Sequence, residues 1–273
     1  MRTLTVTDLD GTVIFSPRTL VTDDGDLRSV DVHEGRIRAF MTGAAALEWA
    51  RLVSAGALVP ATTRSVSQYR RLRLPGPAPR LAIVCNGARL LVDGEPDARW
   101  DRLMRRQIRG SAGFDVVWRQ AGRWYERHAF AAVRAVDDLF VYLTVHERTE
   151  WFTDFAAAAA AWSAVVGWRA SLQGRKLYLL PVALDKAAAA DHVVERLAAE
   201  RVVAGGDSLL DLGLLLSADA AIRPAHGELH VGEVALPGCR VTRASGAAAG
   251  DEILRWYAGQ VCPDPPATAA GHR

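Results

Sequence analysis

The stretch Val6-Thr7-Asp8-Leu9-Asp10-Gly11-Thr12 decides how this chain is read. Leu4 and Val6 belong to an apolar strand, and Asp8 and Asp10 follow it two residues apart. In extended backbone, residues i and i+2 point to the same side, so the two carboxylates face one small volume. That proximity is unfavourable unless a cation or a proton separates the charges. Gly11 permits a sharp turn, and Thr12 adds a hydroxyl and an N–H. An acidic turn at the end of a strand points to an active site. Calcium binding and plain helix capping are the bland alternatives.

Outward from that turn, the chain reads as strand and helix in alternation. Residues 3–8 form the first strand. Residues 28–32 and 36–40 alternate about Glu34-Gly35 and predict a β-hairpin, a possible flap over the acidic turn. A helix over 43–55 stops at Gly56. A strand over 58–61 ends in Thr62-Thr63-Arg64, and hydroxyls at a strand end can hold an anion or simply cap the next helix. That helix carries Gln68, Tyr69, Arg70 and Arg71. Leu81 to Cys85 is another buried strand, ending at Asn86-Gly87. The pattern then changes to hairpin-like pieces: a helix near 98–110, a strand over 139–145, an alanine-rich helix over 149–162, and strands over 168–172 and 177–182. Alternation resumes at Asp185, which begins a helix with Lys186 in its first turn. A strand over 201–204 runs into Gly205-Gly206-Asp207-Ser208-Leu209-Leu210-Asp211, where the two aspartates can face one side of a helix start. The leucines after Asp211 are expected to be buried. Short edge strands over 220–223 and 239–242 and a helix over 248–258 complete the pattern.

The fold class is therefore α/β. A Rossmann-like parallel-sheet core comes from residues 1–87 and 177–259, an α+β cap domain is inserted over 88–176, and a disordered tail is expected over 260–273. In such sheets ligands bind beyond the carboxyl ends of the strands. Asp8 and Asp10, Thr62, Lys186, and Asp207 and Asp211 all fall there. Lysine occurs only at Lys176 and Lys186 in a chain rich in arginine. Lys186 opposes the dipole of its own helix, so an anion is its natural partner.

Composition excludes other classes. The formal net charge of +2 is too balanced for a general nucleic-acid binder. No apolar run of about eighteen residues occurs, so no membrane span is expected. Cys85, Cys239 and Cys262 form no C-x-x-C pair, which argues against zinc and for a reducing compartment. The N-terminus lacks a secretory signal's pattern, so a cytoplasmic location is expected.

The chemistry that fits these residues is phosphoryl transfer. Magnesium takes six oxygens, commonly one or two carboxylates with phosphate oxygens and waters. Asp8 and Asp207 would supply the carboxylates, with Asp10 and Asp211 completing the acidic set. Asp8 would attack phosphorus, and Asp10 would protonate the leaving oxygen and then activate water. Thr62 and Lys186 would offset charge on the equatorial oxygens. Gly11, Thr12, Thr63, Arg64, Arg70, Gln173, Arg175, Lys176 and Ser208 are the candidates for holding phosphate and substrate.

Asp8-Leu9-Asp10-Gly11-Thr12, Thr62, Lys186 and Gly206 to Asp211 resemble the four signature motifs of the haloacid dehalogenase (HAD) superfamily, in order and spacing. The insertion after Asn86-Gly87 is similar to subclass IIB, which includes Cof-type and sucrose-phosphate-phosphatase-like enzymes. The resemblance implies a Rossmann-like core, Mg²⁺ and Asp8 as nucleophile. Asp10 matches the phosphatase and phosphomutase pattern. Pro60 to Arg64, Gln68 to Arg71 and Leu74 to Pro79 also resemble a group of actinobacterial HAD hydrolases associated with tellurite-resistance-type gene neighbourhoods. Two positions depart from the pattern: Thr63 stands where many relatives have glycine, and Leu210 where many have asparagine. The expected function is an Mg²⁺-dependent phosphatase for a small phosphorylated metabolite, sugar-phosphate or nucleotide-like. A phosphomutase and a catalytically idle phosphate- or partner-binding protein are the alternatives.

Overall fold

The computed structural model describes residues 2–19 and 26–261. Strand β1 (Thr3–Thr7) leads into the acidic turn, and β2 (Leu27–His33) and β3 (Arg36–Thr42) form the expected hairpin. Its turn places Glu34 and Gly35 at positive φ, as a tight hairpin requires. Helix α1 (Gly43–Ser54) follows, capped by the Thr42 hydroxyl. Then come β4 (Leu58–Pro60), a short α2 (Val66–Arg70), β5 (Leu81–Val84), β6 (Arg89–Val92), β7 (Glu95–Pro96) and α3 (Ala98–Gln107). Helix α4 (Phe114–Arg127) and β8 (Ala132–Val136) were not legible as elements in the sequence. After them come β9 (Phe140–Thr144), α5 (Glu150–Val165), β10 (Trp168–Gln173) and β11 (Lys176–Pro181). The chain ends with α6 (Lys186–Leu197), β12 (Arg201–Gly205), α7 (Leu212–Ser217), β13 (Ala220–Arg223), α8 (Gly227–Val231), β14 (Arg240–Val241) and α9 (Ala247–Val261).

The main sheet has five parallel strands in the order β14-β13-β12-β1-β4. All five residues of β1 are buried, as expected of a strand covered on both faces. Thr7 pairs with Gly205 on one side and Pro60 on the other. The three neighbouring strands therefore end level, which brings the residues after them to one edge. Strand β5 extends this sheet through a single bridge, Ala61 with Ile83, and otherwise pairs antiparallel with β6. Pro60 has no N–H to offer on the β5 side, which limits the ladder there.

A second sheet, β10-β11-β9-β8, is wholly antiparallel. Val141, Leu143, Leu177 and Leu179 are buried on one face. The alternate residues Arg134, Tyr142, Thr144, Lys176 and Tyr178 line the main cavity. Helix α3, which follows the β6–β7 hairpin, packs instead on α6. The Trp100 indole donates to the Gly87 carbonyl at 2.9 Å and lies against His192 with the rings tilted by 31°, and Arg196 pairs with Asp97.

Two expectations change in detail. The leucines after Asp211 are not uniformly buried: Leu214 and Leu215 are, but Leu216 is 62% exposed, because a helix turns one of its faces outward. Gln260 and Val261 are helical rather than part of a tail, since α9 continues while Val261 packs on the core. The rest of that tail, residues 262–273, lies outside the described residues. No helix among the described residues is long and apolar enough to cross a membrane.

Candidate active site

Asp8 leaves β1 directly, and its N–H donates to the Gly205 carbonyl at 2.8 Å. Its Oδ1 accepts from the Lys186 ammonium at 2.5 Å, and its Oδ2 accepts from the Thr12 hydroxyl at 3.1 Å. Lys186 also donates to Asp211 Oδ1 at 2.6 Å and is only 1% exposed. The start of α6 is built to hold it there. The Asp185 side chain caps the helix through the Ala187 N–H, and the Asn86 amide donates to the Leu184 carbonyl at 3.0 Å. Gly87 lies at φ +91°, and a Cβ on it would come within 2.2 Å of the Asp185 carbonyl. The Asn86-Gly87 turn is thus a backbone seat for the lysine helix.

The electrostatics follow from burial. Burial pushes the Asp8 carboxyl up to about 7; Lys186 opposes the rise and Asp211 adds to it. Burial, together with Asp8 and Asp211 nearby, raises Asp207 well above the usual carboxylate range. Burial pushes Lys186 down, but Asp211 and Asp8 more than offset this and keep it above an ordinary lysine. One buried cation therefore serves a cluster of carboxylates.

Oxygens of Asp8, Asp207 and Asp211 lie within 4.8 Å of one another. Asp211 is already engaged: Oδ1 holds Lys186, and Oδ2 accepts from the Asp207 and Ser208 N–H groups and the Ser208 hydroxyl. Neither Asp207 side-chain oxygen takes a hydrogen bond from the described residues. Gly11, at φ +83°, passes so close that a Cβ on it would lie 2.7 Å from Asp207 Oδ2. This all-oxygen donor set, with uncompensated acidic charge, fits a hard divalent cation such as Mg²⁺. The Asp10 carboxylate stands apart from that group.

Asp10 faces Arg64 instead. The guanidinium grips it in a fork, Nε to Oδ2 and Nη2 to Oδ1, both at 2.7 Å. The surrounding protein pushes the Asp10 carboxyl up, but Arg64 outweighs this and holds it below the usual range. Arg64 Nη1 also reaches Asp31 on β2 at 2.6 Å, and Arg71 meets the same carboxylate at 2.7 Å. Asp31 is buried, and this chain of charges ties the β2–β3 hairpin to the site. Asp31 and Arg71 carried no functional signal in the sequence. His226 also escaped notice: its Nδ1 accepts from the Gly246 N–H, so its Nε2 donates to the Gly11 carbonyl at 2.7 Å.

The remaining candidates separate. Thr63, Gln173, Arg175, Lys176 and Ser208 line one cavity with Asp8, Asp10, Gly11, Arg64 and Asp207. Gln173 donates to the Ser208 hydroxyl at 3.2 Å, and the Gly174 N–H donates to Glu228 at 3.0 Å, so the β10–β11 turn rests on the acidic loop. Thr62 is fully buried, and its hydroxyl accepts from the Arg64 N–H. Arg70 points elsewhere, donating to the Gly94 carbonyl and pairing with Glu95. Helical phase explains this: Arg71, one residue on, is the arginine that reaches Asp31. Leu210 is buried in the apolar core.

No family model matches this sequence, and no curated protein matches it. Solved structures do match, over nearly the whole chain. The sucrose-phosphatase from Synechocystis, in complex with sucrose and phosphate, is 16% identical; the match covers 94% of this chain and 98% of that one, with a TM-score of 0.66. A trehalose-6-phosphate phosphatase related protein is 16% identical, covering 93% and 96%, with a TM-score of 0.59. The HAD subclass IIB sugar phosphatase BT4131 is 12% identical, covering 95% and 98%, with a TM-score of 0.55. What the chain shares with these structures at such identities is the fold.

Proposed function

We propose that the protein is an Mg²⁺-dependent phosphatase acting on a small phosphorylated metabolite through an aspartyl-phosphate on Asp8. The observation that carries this reading is the buried Asp8 carboxylate fixed between the Lys186 ammonium and the Thr12 hydroxyl, beside the unbonded oxygens of Asp207. The fold neighbours named for sugar phosphates support the substrate class. The antiparallel sheet with α4 and α5, about residues 111–182, serves as the cap in this reading, and it meets the core through the β10–β11 turn and through Asp137, whose carboxylate accepts from the Val66 N–H at 3.1 Å.

Asp8 attacks phosphorus in line, forming the Asp8 O–P bond as the bond to the leaving oxygen breaks. Lys186 and the Thr12 hydroxyl hold the nucleophile in place, and Lys186 offsets the charge gathering on the phosphoryl oxygens. Mg²⁺, held by Asp8 and Asp207, would supply the remaining positive charge. Asp211 positions Lys186 and the loop of Asp207. Water then attacks the phosphorus and gives its proton to Asp10, which frees phosphate and restores Asp8. The Arg64 fork keeps Asp10 ionised, which suits it to that second step. For Asp10 to protonate the leaving oxygen in the first step, Arg64 must release it. Turnover of p-nitrophenyl phosphate with Mg²⁺, abolished by EDTA and restored by added Mg²⁺, is the expected result. No turnover of this or of a panel of phosphorylated metabolites would remove the reading.

Arg64 is a positioning residue with its own signature. A carboxyl deprived of a cation titrates at higher pH. At saturating Mg²⁺, which favours the ionised form of Asp8 and so uncovers the titration of Asp10, the limb on which kcat falls with acidification is therefore expected to move to higher pH in Arg64→Ala. Asp31→Asn loosens the same hairpin but leaves the Arg64–Asp10 fork, so its pH profile is expected to stay in place.

A further inference from the structure

The cavity above Asp8 has a volume of about 940 Å³, at the upper end of small-molecule sites. Basic side chains along its wall outnumber acidic ones, eight to five. Several of these charges are already matched: Lys186 with Asp8, Arg64 with Asp10, and Arg64 and Arg71 with Asp31. Lys176 and Arg175 stand on the turn that rests against the acidic loop, where an ester phosphate on Asp8 would meet them. Three further arginines remain: Arg18, in the loop after the acidic turn, and two on separate strands, Arg38 on β3 of the hairpin and Arg134 on β8 of the antiparallel sheet, which face the cavity from regular elements. None of the three has a carboxylate partner among the described residues.

Register explains why Arg134 faces inward. It pairs with Tyr142, which pairs in turn with Tyr178, giving one cross-strand row on the cavity face. The Tyr142 and Tyr178 rings lie 5.4 Å apart, with the Lys176 ammonium 5.3 Å from the Tyr142 ring centre. A neutral sugar offers hydroxyls, which need few full charges around them. Guanidinium groups match the planar, bidentate geometry of carboxylate and phosphate oxygens.

We propose that the substrate carries a second anionic group besides its ester phosphate, and that Arg38 and Arg134 receive it. This rests on the phosphatase reading above and narrows its substrate class to doubly anionic phosphate esters. The second group is a phosphate or a carboxylate, which share the chemistry that the arginines recognise. The excess of cations also concentrates such substrates in the cleft, so their kcat/KM falls with ionic strength.

The test compares kcat/KM for glucose 6-phosphate with that for 6-phosphogluconate and for glucose 1,6-bisphosphate, in the wild type and in Arg38→Ala and Arg134→Ala. Both arginines are exposed to the cavity, so loss of folding is not expected to confuse the result. A preference of about tenfold or more for one doubly anionic compound over glucose 6-phosphate, falling about ten- to hundredfold toward unity in the variants, supports the proposal. Preference for 6-phosphogluconate alone identifies a carboxylate, and preference for the bisphosphate alone identifies a phosphate. Binding of the preferred compound to Asp8→Asn, measured by calorimetry, should weaken by a similar factor when Arg134→Ala is added. Hydrolysis of all three compounds at equal efficiency overturns this proposal while leaving the phosphatase reading intact. Hydrolysis of none, with no turnover of p-nitrophenyl phosphate, removes the phosphatase reading itself.

Discussion

Asp8→Asn is expected to lower turnover on the order of a thousandfold or more while leaving the protein folded. The amide keeps the size of the carboxylate, and its oxygen can still accept from Lys186, but it cannot attack phosphorus. The fold survives for an electrostatic reason. Asp8 is buried with Asp207 and Asp211, and burial together with Asp211 pushes its carboxyl up to about 7 against the pull of Lys186. Removing one negative charge from that group relieves repulsion, and Lys186 keeps its bond to Asp211. Steady-state kinetics together with a urea melt measure both halves of the prediction. Retained turnover in a folded Asp8→Asn protein would show that another group, or water directly, attacks the phosphorus.

Lys186→Met is expected to behave differently, losing stability as well as activity. The substitution keeps an unbranched side chain of similar length but strands Asp8 and Asp211 in the interior without their cation. Breaking a buried ion pair from one side typically costs about 3–5 kcal/mol. Removing a charge that stabilises a transition state costs about a hundred- to a thousandfold in kcat. Denaturant unfolding checks the first number and kinetics the second. A variant as stable as the wild type would mean that the carboxylates are protonated or otherwise compensated in the folded state.

Much of the core and its acidic centre was legible because each marker sits where chain geometry restricts it. Asp8 and Asp10 follow a buried strand, Lys186 opens a helix capped by Asp185, and Asp207 and Asp211 follow β12. Level strand ends turn these separate motifs into one cluster. Parts that depend on tertiary placement were not legible. Asp31 lies in a hairpin whose strand pairing is local, but its partners Arg64 and Arg71 are 33 and 40 residues away. Arg38 and Arg134 look like surface charges until the hairpin and the antiparallel sheet enclose one cavity. The sequence also left open which neighbour β5 would choose, because an apolar run of four residues does not specify its partner. Helix α4 was missed although Val117 and Ala121 repeat at helical spacing, because Gly122 and a mixture of arginine and aromatic residues blur its apolar face.

The account depends on a covalent bond between the substrate's phosphorus and the side chain of residue 8. The most direct test is borohydride reduction during turnover with Mg²⁺, followed by peptide mass spectrometry. An acyl phosphate is reduced by borohydride to an alcohol, so the account predicts homoserine at position 8, dependent on substrate and absent from Asp8→Asn. Unmodified Asp8 in an actively turning-over sample, or homoserine formed at another aspartate, would contradict it.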